Sequence, residues 1–278
     1  MSALSGVEAT AALIAAGRAV ESERPDRLFD DPWARRFVVE SGFDAQSWSS
    51  EQMRASGRQA WFVVAIPVRT RFLDDYVRAA VEHGCGQVVL LGAGLDTRAL
   101  RIDWPSPVRF FELDTDSVLS FKASVLAHVD PTRAERIEVR VDLRDDWTAA
   151  LQAAGFRADL STAWIVEGLL QYLDESDVNT LMTRVARLSP AGSELGMSLA
   201  PRPETLPALP SGASTAADFR ALWKWGPPAD TAGWLAGYGW NAEIVRMADQ
   251  ARAYGRELPD TPDRPWEPGH QLVIASRD

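Results

Sequence analysis

Cysteine is nearly absent: Cys85 stands alone in a chain of 278 residues. A single thiol forms no internal disulfide and supplies no zinc cluster, which points to an intracellular, cytoplasmic protein. Histidine is almost as scarce. His83, His128 and His270 are far apart, and no His, Cys, Asp or Glu spacing resembles a metal site. No apolar run is long enough to span a bilayer. The Ala-rich opening, Ser2 to Val20, is broken by Glu8 and lacks a basic leader, so it reads as an amphipathic helix and not as an export signal. Basic residues are outnumbered 29 to 39, and the formal charge is −10. Such a surface repels nucleic acid and anionic membrane, and neither is an expected partner. Internal repeats and low-complexity tracts are missing too.

What is present is a strand running into a glycine turn. Gln87-Val88-Val89-Leu90-Leu91 is an apolar strand, and Gly92-Ala93-Gly94 follows it at once. Glycine tolerates positive φ and lets backbone approach a ligand closely. A helix expected over Asp96–Ile102 would offer unpaired N–H groups to a polar ligand. About 20 residues on, the strand from Val108 ends in Glu112-Leu113-Asp114. That is where a nucleotide-binding α/β fold places the carboxylate for the ribose hydroxyls. Asp114 is the candidate and Glu112, on the same face, its competitor. The third glycine of the dinucleotide pattern is replaced by Thr97.

The alternation continues with strands at Ile137–Val141, Ala163–Val166 and Glu194–Leu199, separated by helices at Ser117–His128, Asp146–Ala154 and Glu175–Leu188. This predicts a doubly wound, mostly parallel Rossmann-like sheet. The chain divides into an N-terminal helical lid (1–84), a cofactor-binding core (85–200), a substrate cap (201–240) and final strands (241–278). In the lid, Asp30 or Asp31 caps a short helix beginning at Pro32, and a longer helix runs from about Pro67 to Glu82. Adjacent Asp74 and Asp75 read as a solvated helix face. The cap begins in a Pro-rich loop (Pro201, Pro203, Pro207, Pro210) and is expected to contain helices Thr215–Lys224 and Asp230–Gly237. Strands Ala242–Met247 and Gln271–Ala275 close the sheet as an antiparallel pair. Of eleven tryptophans, four fall between Trp223 and Trp240. They wall a pocket for a flat acceptor or pack the cap onto the sheet.

The blocks Arg24-Pro25-Asp26-Arg27-Leu28-Phe29-Asp30-Asp31-Pro32, Val68-Arg69-Thr70-Arg71-Phe72-Leu73-Asp74, Leu91-Gly92-Ala93-Gly94-Leu95-Asp96-Thr97-Arg98 and Phe111-Glu112-Leu113-Asp114 together resemble the leucine carboxyl methyltransferase family. The likeness is to its actinobacterial branch of S-adenosylmethionine-dependent O-methyltransferases, some of which act on polyketide carboxyls. It covers roughly Ala11 to Leu199. Leu90 stands where many other methyltransferases carry an acid. The resemblance implies S-adenosyl-L-methionine as cofactor, with S-adenosyl-L-homocysteine as product. It implies Gly92 and Gly94 beside the methionine part and Asp114 on the ribose. Asp142 and Leu143 fall on the adenine, and Glu167 on the ammonium. Arg69 or Arg71 meets the carboxylate, with Arg18 near the same group. Two residues apart on a helix, Arg69 and Arg71 do not share a face, so one of them is expected to reach the site.

A sulfonium methyl needs mainly in-line positioning and exclusion of water. An ionised carboxylate acceptor needs no general base, whereas a neutral alcohol does. Without a well-placed histidine the expected acceptor is a carboxylate or acidic hydroxyl of a small molecule, such as an aromatic or polyketide acid. Tyr172, Arg202 and Tyr238 are the positioning candidates. Protein carboxyl methylation, a nicotinamide-dependent oxidoreductase and a non-catalytic cofactor-binding protein are the alternatives, and oligomeric state is left open.

Overall fold

The computed structural model describes residues 7–42, 57–127, 129, 134–205, 221–256 and 269–278. Strand β1 (Gln87–Leu91) is buried at every position, as expected of an unbroken apolar strand covered on both faces. It pairs in parallel with β2 (Val108–Asp114) on one side and β4 (Thr162–Glu167) on the other. Strand β3 (Ala134–Arg140) extends the sheet beyond β2, and β5 (Glu194–Leu199) extends it beyond β4, again in parallel. Strands β6 (Asn241–Arg246) and β7 (Gln271–Ser276) complete the order β3-β2-β1-β4-β5-β7-β6. The closing pair is antiparallel, as its sequence implied, with β7 inserted between β5 and β6.

Register positions the site. Leu91 lies opposite Leu113 on one side and Val166 on the other. The next residues, Gly92, Asp114 and Glu167, therefore emerge together where the strand order reverses, the place where open α/β sheets bind ligands. Alternation along the strands feeds two cores. Val89, Phe111 and Trp164 pack on one face, while Val88, Phe110 and Ile165 pack on the other.

The described helices are α1 (Val7–Ser22), α2 (Ala34–Glu40), α3 (Gly57–Glu82), α4 (Arg98–Arg101), α5 (Asp116–Val125), α6 (Trp147–Ala153), α7 (Glu175–Arg187), α8 (Thr231–Ala236) and α9 (Met247–Ala253). Several depart from the expected bounds. Helix α3 begins ten residues before Pro67 and carries that proline inside it. A proline there deletes one helical hydrogen bond, but the flanking Ala65, Ile66 and Val68 are almost wholly buried. Packing outweighs the lost bond. Helix α4 starts at Arg98, whose N–H the Asp96 carboxylate takes (2.7 Å), and ends after a single turn where Ile102 becomes extended. Helix α9 was not foreseen; Met247, assigned to a strand, opens it. Of the helix expected over Thr215–Lys224, residues 215–220 lie outside the described residues and 221–224 are not helical. The tryptophan question resolves toward packing. Trp225 and Trp240 belong to the buried core, and Trp234 and Tyr238 lie against it.

Close packing of α3 on β5 depends on Gly196. A Cβ added there would lie 2.3 Å from the Tyr76 ring, and the Tyr76 hydroxyl donates to the Trp164 carbonyl (3.1 Å). Gly196→Ala is expected to cost about 1–3 kcal/mol by overpacking, read as a lower urea midpoint. The double variant Gly196→Ala/Tyr76→Leu should recover part of it. An unchanged midpoint in Gly196→Ala would contradict this account.

Candidate active site

A cleft of about 330 Å³ opens at the carboxyl ends of β1, β2 and β4, within the roughly 300–1,000 Å³ range of small-molecule sites. Its floor is the glycine turn. Gly92 and Gly94 have φ of 71° and 49°, a region that side-chain-bearing residues rarely adopt. The turn is pinned to β2 by two backbone bonds, Gly92 N–H and Ala93 N–H to the Leu113 carbonyl at 3.0 and 2.9 Å. Asp114 pins it a third time, accepting the Gly94 N–H at 2.7 Å with one oxygen and the Thr115 N–H at 2.7 Å with the other. Burial raises the Asp114 pKa, and these two N–H groups only partly oppose the rise. A carboxylate has about four acceptor positions, so Asp114 retains acceptor capacity toward the cleft it lines.

Glu112, the competitor, is fully buried and ion-paired with Lys122 and Arg136, each at 2.9 Å. It does not line the cleft.

Glu167 lines the cleft between two arginines. Arg69 Nε lies 2.8 Å from Oε1 and Arg98 Nη1 lies 2.7 Å from Oε2. The Arg69 N–H is buried and is not aimed along that contact, so it makes no hydrogen bond. Behind this pair lies a network that sequence reading missed. Arg98 is wholly buried and also contacts Asp74 (2.7 Å), Asp96 and the Thr70 carbonyl (3.2 Å). Arg101 holds the same Asp74 through both its terminal nitrogens, at 2.6 and 2.7 Å. Three arginines thus meet three carboxylates. Asp74 is not on a solvated face; its partner in sequence, Asp75, is half-exposed and paired with Arg71. Burial alone would raise Glu167 and Asp96, but the nearby guanidinium charges, Arg98 foremost, hold both below the usual carboxylate range.

Helix α1 forms one wall with Thr10, Ala11, Ile14 and Arg18. Arg18 donates to the Leu95 carbonyl (2.6 Å) and to Asp31 (2.8 Å). The buried Asp31 also takes the Thr97 hydroxyl (2.8 Å) and the Trp33 and Ala34 N–H groups. Asp31 is one of the two caps expected of a helix starting at Pro32; the helix starts at Ala34 with Trp33 as its N-cap, and Asp31 holds the turn ahead of it. Asp142 and Leu143 line the far end, where Arg144 chelates the Asp142 carboxylate and lowers its pKa. Tyr172, Gln171, Leu169, Leu173 and Lys224 line the remaining side.

Three expected residues lie elsewhere. Arg71 turns away on α3 to Asp75 and the Leu28 carbonyl, since two residues rotate a helix by about 200°. Arg202 donates to the Pro227 carbonyl, and Tyr238 donates to Asn179; neither lines the cleft. The cation found there instead is Lys224, paired with the exposed Asp174 at 3.2 Å. Among the described residues no histidine lines the cleft; His128 lies outside them. Cys85 is buried, its thiol pushed up to about 11 by burial.

The depressed carboxylates set an acid limit. A group whose folded pKa is lowered gives stability that is full above its unfolded value, about 4, and is lost as pH falls through the folded value. Raised Asp114 has the opposite sign, its ionisation costing stability above that range. Thermal midpoints should therefore fall on acidification below about pH 4, with a shallower slope in Glu167→Gln. Parallel slopes would show that Glu167 contributes nothing to the acid limit.

Comparison with known proteins shows the family and the fold. The family model described as leucine carboxyl methyltransferase matches residues 11–186. A Frankia alni protein provisionally named an S-adenosyl-L-methionine-dependent methyltransferase is 45% identical, covering 98% of this chain and 96% of its own. A similarly named Streptomyces avermitilis protein is 44% identical, again covering 98% and 96%. Among solved structures, a DUF574 family protein from Streptomyces avermitilis shares the fold, with a TM-score of 0.60, 15% identity, and coverage of 96% of this chain and 97% of that one. The nicotinamide reading falls away. The glycine cradle, the acceptor capacity of Asp114 and the undirected Arg69 N–H fit a nucleoside bearing a zwitterionic tail. The chain belongs to the leucine carboxyl methyltransferase family, as an S-adenosyl-L-methionine-dependent methyltransferase.

Proposed function

We propose that the protein is an O-methyltransferase whose acceptor is a carboxylate, or an acidic hydroxyl, of a small molecule, with a polyketide-like acid the first candidate. The observation that carries this reading is the make-up of the acceptor side of the cleft. Apolar Leu169 and Leu173, with Tyr172, lie beside the cation Lys224, and no described histidine is present to serve as a base. An ionised carboxylate needs no base. It needs a cation to orient it, and among the described residues the Lys224 ammonium is held by an exposed aspartate that an incoming anion can replace.

The cofactor supplies an activated methyl group. The chain's own residues do the rest. Asp114 takes the ribose hydroxyls on its free acceptor positions, and Asp142 with the Leu143 N–H takes the adenine. The Arg69–Glu167 pair presents a positive and a negative group side by side, matching an aminocarboxylate tail in the reverse sense. Arg18 supports the carboxylate end. Ala11 and Ile14 of α1 cover the turn and keep water from the reacting atoms. In this reading α1, with the rest of the N-terminal helical segment, is the lid.

Two measurements check the assignment. Calorimetry with S-adenosylhomocysteine should show affinity falling as pH drops through the raised Asp114 pKa. Asp114→Asn should abolish that limb and weaken binding about ten- to a hundredfold, the worth of one or two charge-assisted hydrogen bonds; full affinity in that variant would move the ribose elsewhere. Labelled cofactor should give base-labile methyl esters with aromatic and polyketide carboxylic acids, and no labelled ether with their neutral alcohol counterparts. Lys224→Glu should raise the acceptor KM by roughly tenfold or more and leave homocysteine-product affinity unchanged. Methylation of the neutral alcohols alone would overturn the carboxylate reading.

A further inference from the structure

We propose that Arg98, which does not line the cleft, is a positioning residue for the cofactor's aminocarboxylate tail: it fixes the Glu167 carboxylate and keeps Arg69 from closing on it. The inference rests on the reading that Glu167 and Arg69 meet that tail. Arginine and carboxylate side by side favour a bidentate pair that uses both oxygens and two guanidinium nitrogens. Here that pair is prevented. Arg98 Nη1 occupies Oε2 at 2.7 Å, and Arg69 approaches Oε1 through Nε at 2.8 Å without forming a hydrogen bond there. The remaining edge of the Arg69 guanidinium is left to face an incoming carboxylate.

A carboxylate at the end of a long side chain rotates readily about its last torsion, whose energy profile is broad. A hydrogen bond from Arg98 at one oxygen and the ion-pair contact of Arg69 at the other restrict that freedom. Arg98 can serve as the fixed point because it is itself held on three other sides, by Asp74 and the Thr70 carbonyl of α3 and by Asp96 after the glycine turn. It thereby ties α3, which carries Arg69, to the end of β4, which carries Glu167. Its single-turn helix starts four residues after Gly94, so the same guanidinium also couples both groups to the turn.

The proposal separates the tail from the rest of the cofactor, and two ligands separate them in turn. S-adenosylhomocysteine carries the aminocarboxylate; 5′-methylthioadenosine keeps adenine, ribose and thioether but lacks it. In Arg98→Lys a single ammonium cannot span the same carboxylates. Its affinity for S-adenosylhomocysteine should fall roughly tenfold or more, on the scale of losses when outer partners of binding groups are removed, while 5′-methylthioadenosine affinity stays within about twofold. Asp74→Asn, which loosens Arg98 without touching Glu167, should shift the same ratio in the same direction and replaces the first variant if that one fails to fold. Equal losses for both ligands, or no loss for either, would overturn the proposal. Glu167→Gln is the control on the underlying reading. If it leaves the ratio of the two affinities unchanged, the tail does not meet Glu167 at all; if it shifts the ratio and the Arg98 and Asp74 variants do not, Arg98 alone is wrong.

Discussion

A guanidinium withdrawn from water is the constraint around which this structure is arranged. Removing a charge from solvent costs several kcal/mol, recovered only with good geometry and with its hydrogen-bonding groups satisfied. Arg98 meets that requirement with three carboxylates and a carbonyl drawn from the long N-terminal helix, the glycine turn and the end of the fourth strand. Each acceptor is useful only if its parent element is in place. The three segments therefore stand or fall together, and the cleft lies where they meet.

A second buried pair does the same for the N-terminal wall. Arg18 and Asp31 join α1 to the start of α2, to the Thr97 hydroxyl and to the Leu95 carbonyl. The wall is thus attached to the turn it covers by directional bonds, not by apolar contact alone. The cleft is lined unevenly: compensated charges surround Glu167 and Asp96, while Leu169 and Leu173 accompany one loosely held lysine.

Most of the scaffold was legible in the sequence because periodicity reports burial directly. Strands β1 and β5 fall at the residues expected, and the glycine pair, Asp114 and Glu167 come together where strand order demands. Buried charge was not legible. Asp74 looks like half of an exposed acidic pair, yet Thr70, Leu73, Asp74, Val77, Ala80 and Val81 recur at helical spacing, and all are buried. That stripe was the available signal, and reading it would have demanded a cationic partner, which Arg98 and Arg101 supply. Arg202 and Tyr238 were misjudged for a different reason. Nothing in a Pro-rich or Trp-rich segment says which side chains face a distant cleft, and here Trp225 and Trp240 anchor the region by packing. Lys224 could be found only once its backbone N–H was seen bound to the Gln171 carbonyl (2.7 Å), which brings it beside the turn after β4.

The place of β7 imposes an order on biosynthesis. Among the described residues, strand β6 joins the sheet through β7 alone, which follows it in the chain. A nascent polypeptide that has already assembled the five parallel strands still presents one side of β5 with unsatisfied peptide groups, and β6 has no neighbour. Such open borders invite pairing with foreign strands. Until residues 271–276 have been delivered, that border of β5 stays open.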